Sequence, residues 1–359
     1  MSEPVPSVTP AARLAAGSDG KNLFRVRPED PAYLEQAAAE ARYWHSVHPY
    51  SLEAVHPAYA DGPVDRYLNR KFTGDAQRSW PSRIPQFGAF RRGLMLGALS
   101  LPFETYILET NPALQLTLVD IAAGPLTRRV EALGARFRDR LATLEADLNF
   151  VELEPNRYDL IISSGTLHHV TNLEYLAYQV NRALTADGCF LLEDYVGEPR
   201  FAFSNEKKRI YEVLYERDLA RQGGRQKGLI WQDDSDLSPF CGVRSKEITT
   251  VLPQWLEVVE LHTAAVLVTP LMRSHPVDDR TPKGEWTADA WKPLSSRRRW
   301  IVEKVRERYP RLLGKRRSHQ GLMLQEFLDE LFLVGDALSD AGILLPCLAF
   351  GRFRKKTGP

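Results

Sequence analysis

Two adjacent histidines, His168 and His169, follow an apolar run, Leu160 to Ser163, that ends in small polar residues. An imidazole titrates near neutrality, so a histidine at the end of a buried strand suits removal of a proton from a substrate hydroxyl. Packing and hydrogen bonding at a helix start is the plain structural role open to the same pair. Glu193 and Asp194 close a second apolar run that begins at Cys189. A carboxylate there is the alternative base, or an acceptor for a substrate hydroxyl. Asp233, Asp234 and Asp236 could hold a divalent ion, although an acidic loop explains them as well. The chain has no P-loop, no zinc-ligand spacing and no serine-nucleophile elbow, and no metal site is expected.

Regular elements must hold these groups. Leu160 to Ser163 reads as a buried parallel strand that stops at a ligand crevice. Leu173, Leu176, Ala177, Val180, Ala183 and Leu184 fall at helical spacing. Asp187-Gly188 predicts a turn, and Cys189 to Leu192 a second apolar strand. Strand, helix, turn and strand make a βαβ unit, which implies an open α/β sheet with ligands at the strand ends. Upstream, Arg92 to Gly97 and Leu116 to Asp120 read as strands, and Thr127 to Phe137 as a helix.

Composition sets outer bounds. The chain has 359 residues, with 43% hydrophobic and 26% charged residues and a formal net charge of +1. That is ordinary for a globular enzyme and excludes a polyelectrolyte binder, so no specific nucleic-acid contact is predicted. Cys189, Cys241 and Cys347 are widely spaced and odd in number, as expected of reduced, buried thiols in a cytoplasmic protein. No apolar run approaches a membrane span, and the N-terminus lacks the apolar core of a signal peptide.

The stretch from Tyr158 to Arg200 resembles the second half of a class I S-adenosylmethionine-dependent methyltransferase. The resemblance covers roughly residues 40 to 270 and 322 to 355, and is densest from 116 to 201. It implies a Rossmann-like, seven-stranded α/β sheet with helices on both faces, and S-adenosylmethionine as cofactor. Asp120, followed by Ile121, stands where the family's second strand ends in an acid that receives the ribose hydroxyls. Asp147, followed by Leu148, stands where an acid meets the adenine amine. Ser163 and Ser164 end the strand beside the cofactor, and Gly97 and Ala98 begin the loop that the family writes Gly-x-Gly-x-Gly. Here that loop continues as Leu99, Ser100 and Leu101, and only the first glycine remains. Glycine serves where φ is positive or a ligand comes close, so the expectation is a rearranged loop that still admits the cofactor.

Other segments resemble a bacterial group of the family associated with polysaccharide biosynthesis. Asn69 and Arg70, in the stretch from Tyr67 to Asp75, would cover the cofactor or substrate. Tyr195, Gly197 and Arg200 match a motif after the fifth strand, although Asp194 replaces a glutamate and Glu198-Pro199 alters the turn. Arg244, Ser245 and Glu247 fall in a substrate lid, although Arg244 could equally be an ion pair to Glu247 within one helical turn. The implied function is O-methylation of a sugar or other hydroxylated metabolite, with a small-molecule or glycan acceptor. The alternatives are a catalytically silent binding subunit, or the same fold turned to a different reaction.

The organisation expected is a disordered segment over 1–28, a helical cap over 29–88, and a core over 89–272 with its lid at 198–250. A basic insertion over 273–320 precedes a helix and strand in 321–359 that complete the sheet. The cap opens with Asp30-Pro31, a cap and first-turn proline, and places Tyr33, Leu34, Ala37, Ala41 and Trp44 near one helix face. Trp255 to Leu261 reads as the sixth strand, 322–340 as a helix, and Gly342 to Phe353 as a last strand inserted antiparallel between the fifth and sixth. Residues 297–317 hold ten Lys/Arg against two Glu, interleaved with apolar residues. They suit an anionic membrane or polyanion contact, or a helix docked on an acidic core. No pattern specifies an oligomer.

Overall fold

The computed structural model describes residues 23–46, 63–98, 101–221, 229–231, 237–272, 274–276 and 326–357. Leu99, Ser100, the aspartates 233, 234 and 236, and the basic stretch 297–317 lie outside them.

Two compact units are present. The first comprises residues 1–202, 234–266 and 345–359. It begins with α1 (Pro31–Ser46), which starts where the Asp30 carboxylate accepts the Ala32 N–H at 3.0 Å. After α2 (Pro63–Thr73) and the short α3 (Ile84–Phe87) come β1 (Arg92–Leu96), α4 (Leu101–Thr110), β2 (Gln115–Asp120), α5 (Ala123–Phe137) and β3 (Leu141–Glu145). Then follow β4 (Tyr158–Ser164), α6 (Leu173–Ala183) and β5 (Leu184–Tyr195). Within this unit, α8 (Ile248–Trp255), β7 (Leu256–Ala264) and β9 (Leu348–Lys355) complete the set.

These strands form one seven-stranded sheet in the order β3-β2-β1-β4-β5-β9-β7. The first five are parallel, and β9 runs antiparallel between β5 and β7. The α/β class and the inserted last strand are therefore as expected. Central strands buried on both faces must be apolar along their length, and Leu94, Leu96, Val119, Ile161, Phe190, Leu192 and Phe353 are all inaccessible to solvent. Each such side chain contributes roughly 1.5–3 kcal/mol by leaving water.

Three local expectations change. Asp187-Gly188 does not separate a helix from a new strand, because β5 already starts at Leu184. The pair sits in a bulge between the couples Tyr158–Leu184 and Leu160–Cys189. Gly188 permits this: a Cβ there would lie 3.0 Å from the Tyr158 carbonyl. The histidines do not open the helix after β4. They occupy a separate 3-10 turn, Leu167–His169, and α6 begins at Leu173. On α1 the inward residue between Ala37 and Trp44 is the charged Glu40, while Leu34 is exposed.

The second unit comprises residues 203–233 and 267–344. It holds α7 (Asn205–Arg221), the hairpin-like pair β6 (Leu229–Trp231) and β8 (Ser274–Pro276), the short α9 (Thr269–Met272) and a helix, α10, over 326–340. Tyr211, Tyr215 and Phe327 pack as an aromatic cluster, and Arg217 pairs with Glu330.

Candidate functional site

Parallel strands deliver their carboxyl ends to one edge of the sheet, and a cleft opens there in the first unit. It encloses about 590 Å³, its open mouth included. Six of the residues expected at a cofactor line it: Gly97, Ala98, Asp120, Ile121, Asp147 and Leu148. Gly165, Thr166, His169 and Val170 come from the turn after β4, Glu40 and Trp44 from α1, and Asn149 and Phe240 from flanking loops.

The floor is fixed by β1 and β2. The Gly97 N–H donates to the Val119 carbonyl at 2.7 Å, and its φ of +85° is a conformation side chains rarely adopt. A Cβ at Gly97 would meet the Thr166 hydroxyl oxygen at 2.1 Å. The one retained glycine of the loop is thus required by its neighbour across the crevice. The Ala98 N–H donates to Asp120 Oδ2 at 3.0 Å, and the Ala98 carbonyl accepts from the buried Arg129 Nε at 2.9 Å. Arg129 also pairs with the buried Glu104 at 3.2 Å.

Asp120 receives a second backbone donor, the Ala122 N–H, at 2.9 Å. Burial raises its pKa, and these two N–H groups oppose that shift. Each carboxylate oxygen accepts one bond and has capacity for another, which suits vicinal hydroxyls. Asp147 stands just beyond the end of β3, where it accepts from Asn149 and from the Tyr33 hydroxyl of α1. Burial and the Asp147 carboxylate push the Tyr33 phenol well up, so Tyr33 remains a donor.

Ser163 and Ser164 are placed otherwise. Ser163 is fully buried, and Ser164 donates to Glu193 at 3.0 Å. The following residues, Gly165 and Thr166, reach the cleft instead.

The histidines form the centre of a dense polar cluster. His168 Nδ1 lies 2.5 Å from Asp194 Oδ1, and Asp194 also accepts the N–H groups of Thr166, Leu167 and Tyr195. Burial alone would lower the His168 pKa, but the Asp194 charge and hydrogen bond, with Cys241, raise it to about 10. His169 Nδ1 lies 2.9 Å from Glu40 Oε1. Glu40 accepts in addition from Trp44 Nε1 at 2.6 Å, Ser238 Oγ at 2.8 Å and the Phe240 N–H at 2.8 Å. Burial would raise its pKa, yet the hydrogen bond with His169, followed by those from the Phe240 N–H and Trp44, holds it below the ordinary range. Cys241 lies beside both rings. Burial would raise its thiol, but the two histidines bring it down to about 6.

The remaining expected residues lie outside the lining of the cleft. Asn69 is buried, and its amide donates to the Ala76 carbonyl, while Arg70 is exposed. Neither lines the cleft. The Tyr195 hydroxyl donates to the Glu198 carbonyl at 2.8 Å. Arg200 donates to the Pro239 carbonyl at 2.9 Å and so supports the loop that carries Phe240 and Cys241. Arg244 is buried between Glu174 and Glu247, with four contacts of 2.6–3.2 Å, which is the ion-pair role extended to a second carboxylate. Glu193 is half-buried and accepts the Ser164 hydroxyl.

Residues 96–190 match a family model described as a methyltransferase domain. Over that segment the chain is similar to methyltransferase domains. The matched segment runs from the last residue of β1 to Phe190 within β5, and includes Asp120, Asp147 and both histidines. No curated protein matches the chain. Among solved structures, the geranyl diphosphate C-methyltransferase of Streptomyces coelicolor A3(2) aligns at 9% identity and a TM-score of 0.48, covering 92% of this chain and 100% of that one. The O-methyltransferase of a trans-AT PKS multienzyme from Brevibacillus brevis aligns at 12% and 0.40, covering 82% and 71%. Phosphoethanolamine N-methyltransferase 2 of Haemonchus contortus aligns at 16% and 0.39, covering 82% and 58%. Strand order and register carry the fold.

The cleft fits the cofactor S-adenosylmethionine on its own geometry. Asp120 offers free acceptor capacity at the end of β2, Gly97 keeps the backbone clear of a side chain, and Leu148, Ile121 and Val170 supply apolar walls.

Proposed function

We propose that this methyltransferase acts on an oxygen of a hydroxylated metabolite, with His169 taking the acceptor proton. The observation that carries the reading is the Glu40–His169 pair on the wall of the cleft. A carboxylate on Nδ1 fixes the ring and its tautomer, and leaves Nε2 to accept a proton. His168 is a poorer base, since its own proton is held by Asp194 up to a pKa of about 10. Asp194 is committed to three backbone N–H groups.

S-adenosylmethionine supplies an electrophilic sulfonium methyl. Asp120 would hold its ribose, and the Asp147 region its base. Trp44, Phe240 and Val170 line the cleft with apolar surface, which strengthens electrostatic interactions beside them. With the cofactor bound, its methyl group would be transferred to the acceptor oxygen, and His169 would take the proton that this oxygen loses.

A sugar, in a cytoplasmic polysaccharide-biosynthesis setting, is the acceptor we favour within this class. That choice is supported only by the sequence pattern at 69–70, 195–200 and 244–247. Contact of residues 297–317 with an anionic carrier or membrane belongs to the same proposal.

The test is methyl transfer to a panel of sugars and other alcohols. His169→Ala should lower kcat by on the order of 10²–10⁴-fold while S-adenosylhomocysteine affinity changes little. Full activity in that variant would remove His169 from the base role. Tight cofactor binding with no turnover on any acceptor would favour the binding-subunit alternative.

A further inference from the structure

We propose that His168, His169 and Cys241 form a site for a zinc-class divalent cation at the wall of the cofactor cleft. One ligand atom from each residue lies within 4.8 Å of the other two. Zinc–nitrogen and zinc–sulfur bonds in tetrahedral geometry put such atoms about 3.3–3.6 Å apart, so small side-chain rotations close the difference. The two histidines share the turn Leu167–His169, and the Cys241 loop is already tied to it by the Val243 N–H donating to the His168 carbonyl at 3.1 Å.

The surroundings are those of a metal centre. Each imidazole gives its Nδ1 to a buried carboxylate, His168 to Asp194 and His169 to Glu40. What remains on each ring is Nε2. Carboxylates so placed orient a metal-ligating histidine and raise its basicity. Both carboxylates are themselves immobilised, Asp194 by backbone N–H groups and Glu40 by Trp44, Ser238 and Phe240. Two imidazoles and a thiolate select zinc over magnesium or calcium, which prefer oxygen ligands. Sequence spacing did not suggest a metal, because Cys241 lies far along the chain from the histidines.

Three protein ligands leave a fourth position, and His169 already borders the cleft. An acceptor hydroxyl bound there would be acidified by the cation and would lose its proton to solvent, so metal-bound His169 would act as a ligand in place of the base role proposed above. That last step rests on the acceptor reading above; the binding of the cation does not.

The experiment is a titration of chelator-treated full-length protein with Co²⁺, followed by displacement with Zn²⁺. One equivalent of Co²⁺ should produce a near-ultraviolet thiolate-to-metal charge-transfer band and visible bands of four-coordinate intensity, and Zn²⁺ should abolish both. Cys241→Ser should lose the charge-transfer band, and Glu40→Gln should weaken affinity by about 10–100-fold with unchanged circular dichroism. If Cys241→Ser does not fold, His169→Asn carries the test through loss of the visible bands. Absence of the charge-transfer band in native protein, or its survival in Cys241→Ser, overturns the proposal and leaves a hydrogen-bonded thiolate–imidazolium cluster. The readout is optical and needs neither cofactor nor acceptor, so its failure and that of the acceptor reading are separate results.

Discussion

Cys241 and His168 are displaced in opposite directions by the same neighbourhood, and this has a consequence for stability. His168 holds its proton to a pKa of about 10, against an ordinary 6.5. Its contribution to stability is full below about pH 6.5 and is lost as pH rises through about 10. Cys241 ionises near 6 in the fold, against an ordinary 9.0. Its contribution is full above about pH 9 and is lost as pH falls through about 6. Between about pH 6.5 and 9 the two slopes oppose, so in metal-free protein the contributions of this pair largely cancel there. Cys241→Ala removes one slope, and that variant should lose stability steadily as pH rises from 6.5 towards 10. Urea midpoints across that range check this; a flat profile in the variant would contradict the thiolate–imidazolium assignment. The sequence showed the histidines, Asp120, Asp147 and Gly97, because their positions follow strand ends. It did not show Glu40, which looks like one more solvated charge on an Ala- and Glu-rich helix, nor Cys241, whose partners are brought to it only by folding.

Among the elements, the loop carrying Phe240 and Cys241 depends on anchors at both of its ends. Arg200 supports it at Pro239, and Arg244 ties its exit to the start of α6 through Glu174. Arg244 was legible as an ion pair to Glu247, but the link to Glu174 joins segments 70 residues apart in sequence. Arg244→Ala leaves two partly solvated carboxylates facing each other. It should cost about 3 kcal/mol, the lower end for a broken buried pair, in urea denaturation. A change within about 0.5 kcal/mol would show that the bridge is no more than a surface pair. Strand β9 was also legible, but only through the family pattern. Its alternation alone does not reveal that it enters the sheet between β5 and β7.

For the molecule as a whole, the retained features outweigh the missing glycines. Five parallel strands, an acid at the end of β2 and a cleft walled by the turn after β4 make up the site proposed to hold the cofactor. The chain fixes the start of the loop by other means, with Asp120 and Arg129 holding Ala98 from both sides of its peptide group. Calorimetric titration of the purified protein with S-adenosylhomocysteine tests this account. One equivalent should bind, and Asp120→Ala should weaken binding by roughly 1–3 kcal/mol through loss of a charged hydrogen-bonding partner. No heat of binding at millimolar ligand, or equal affinity in native protein and a folded Asp120→Ala variant, would contradict it.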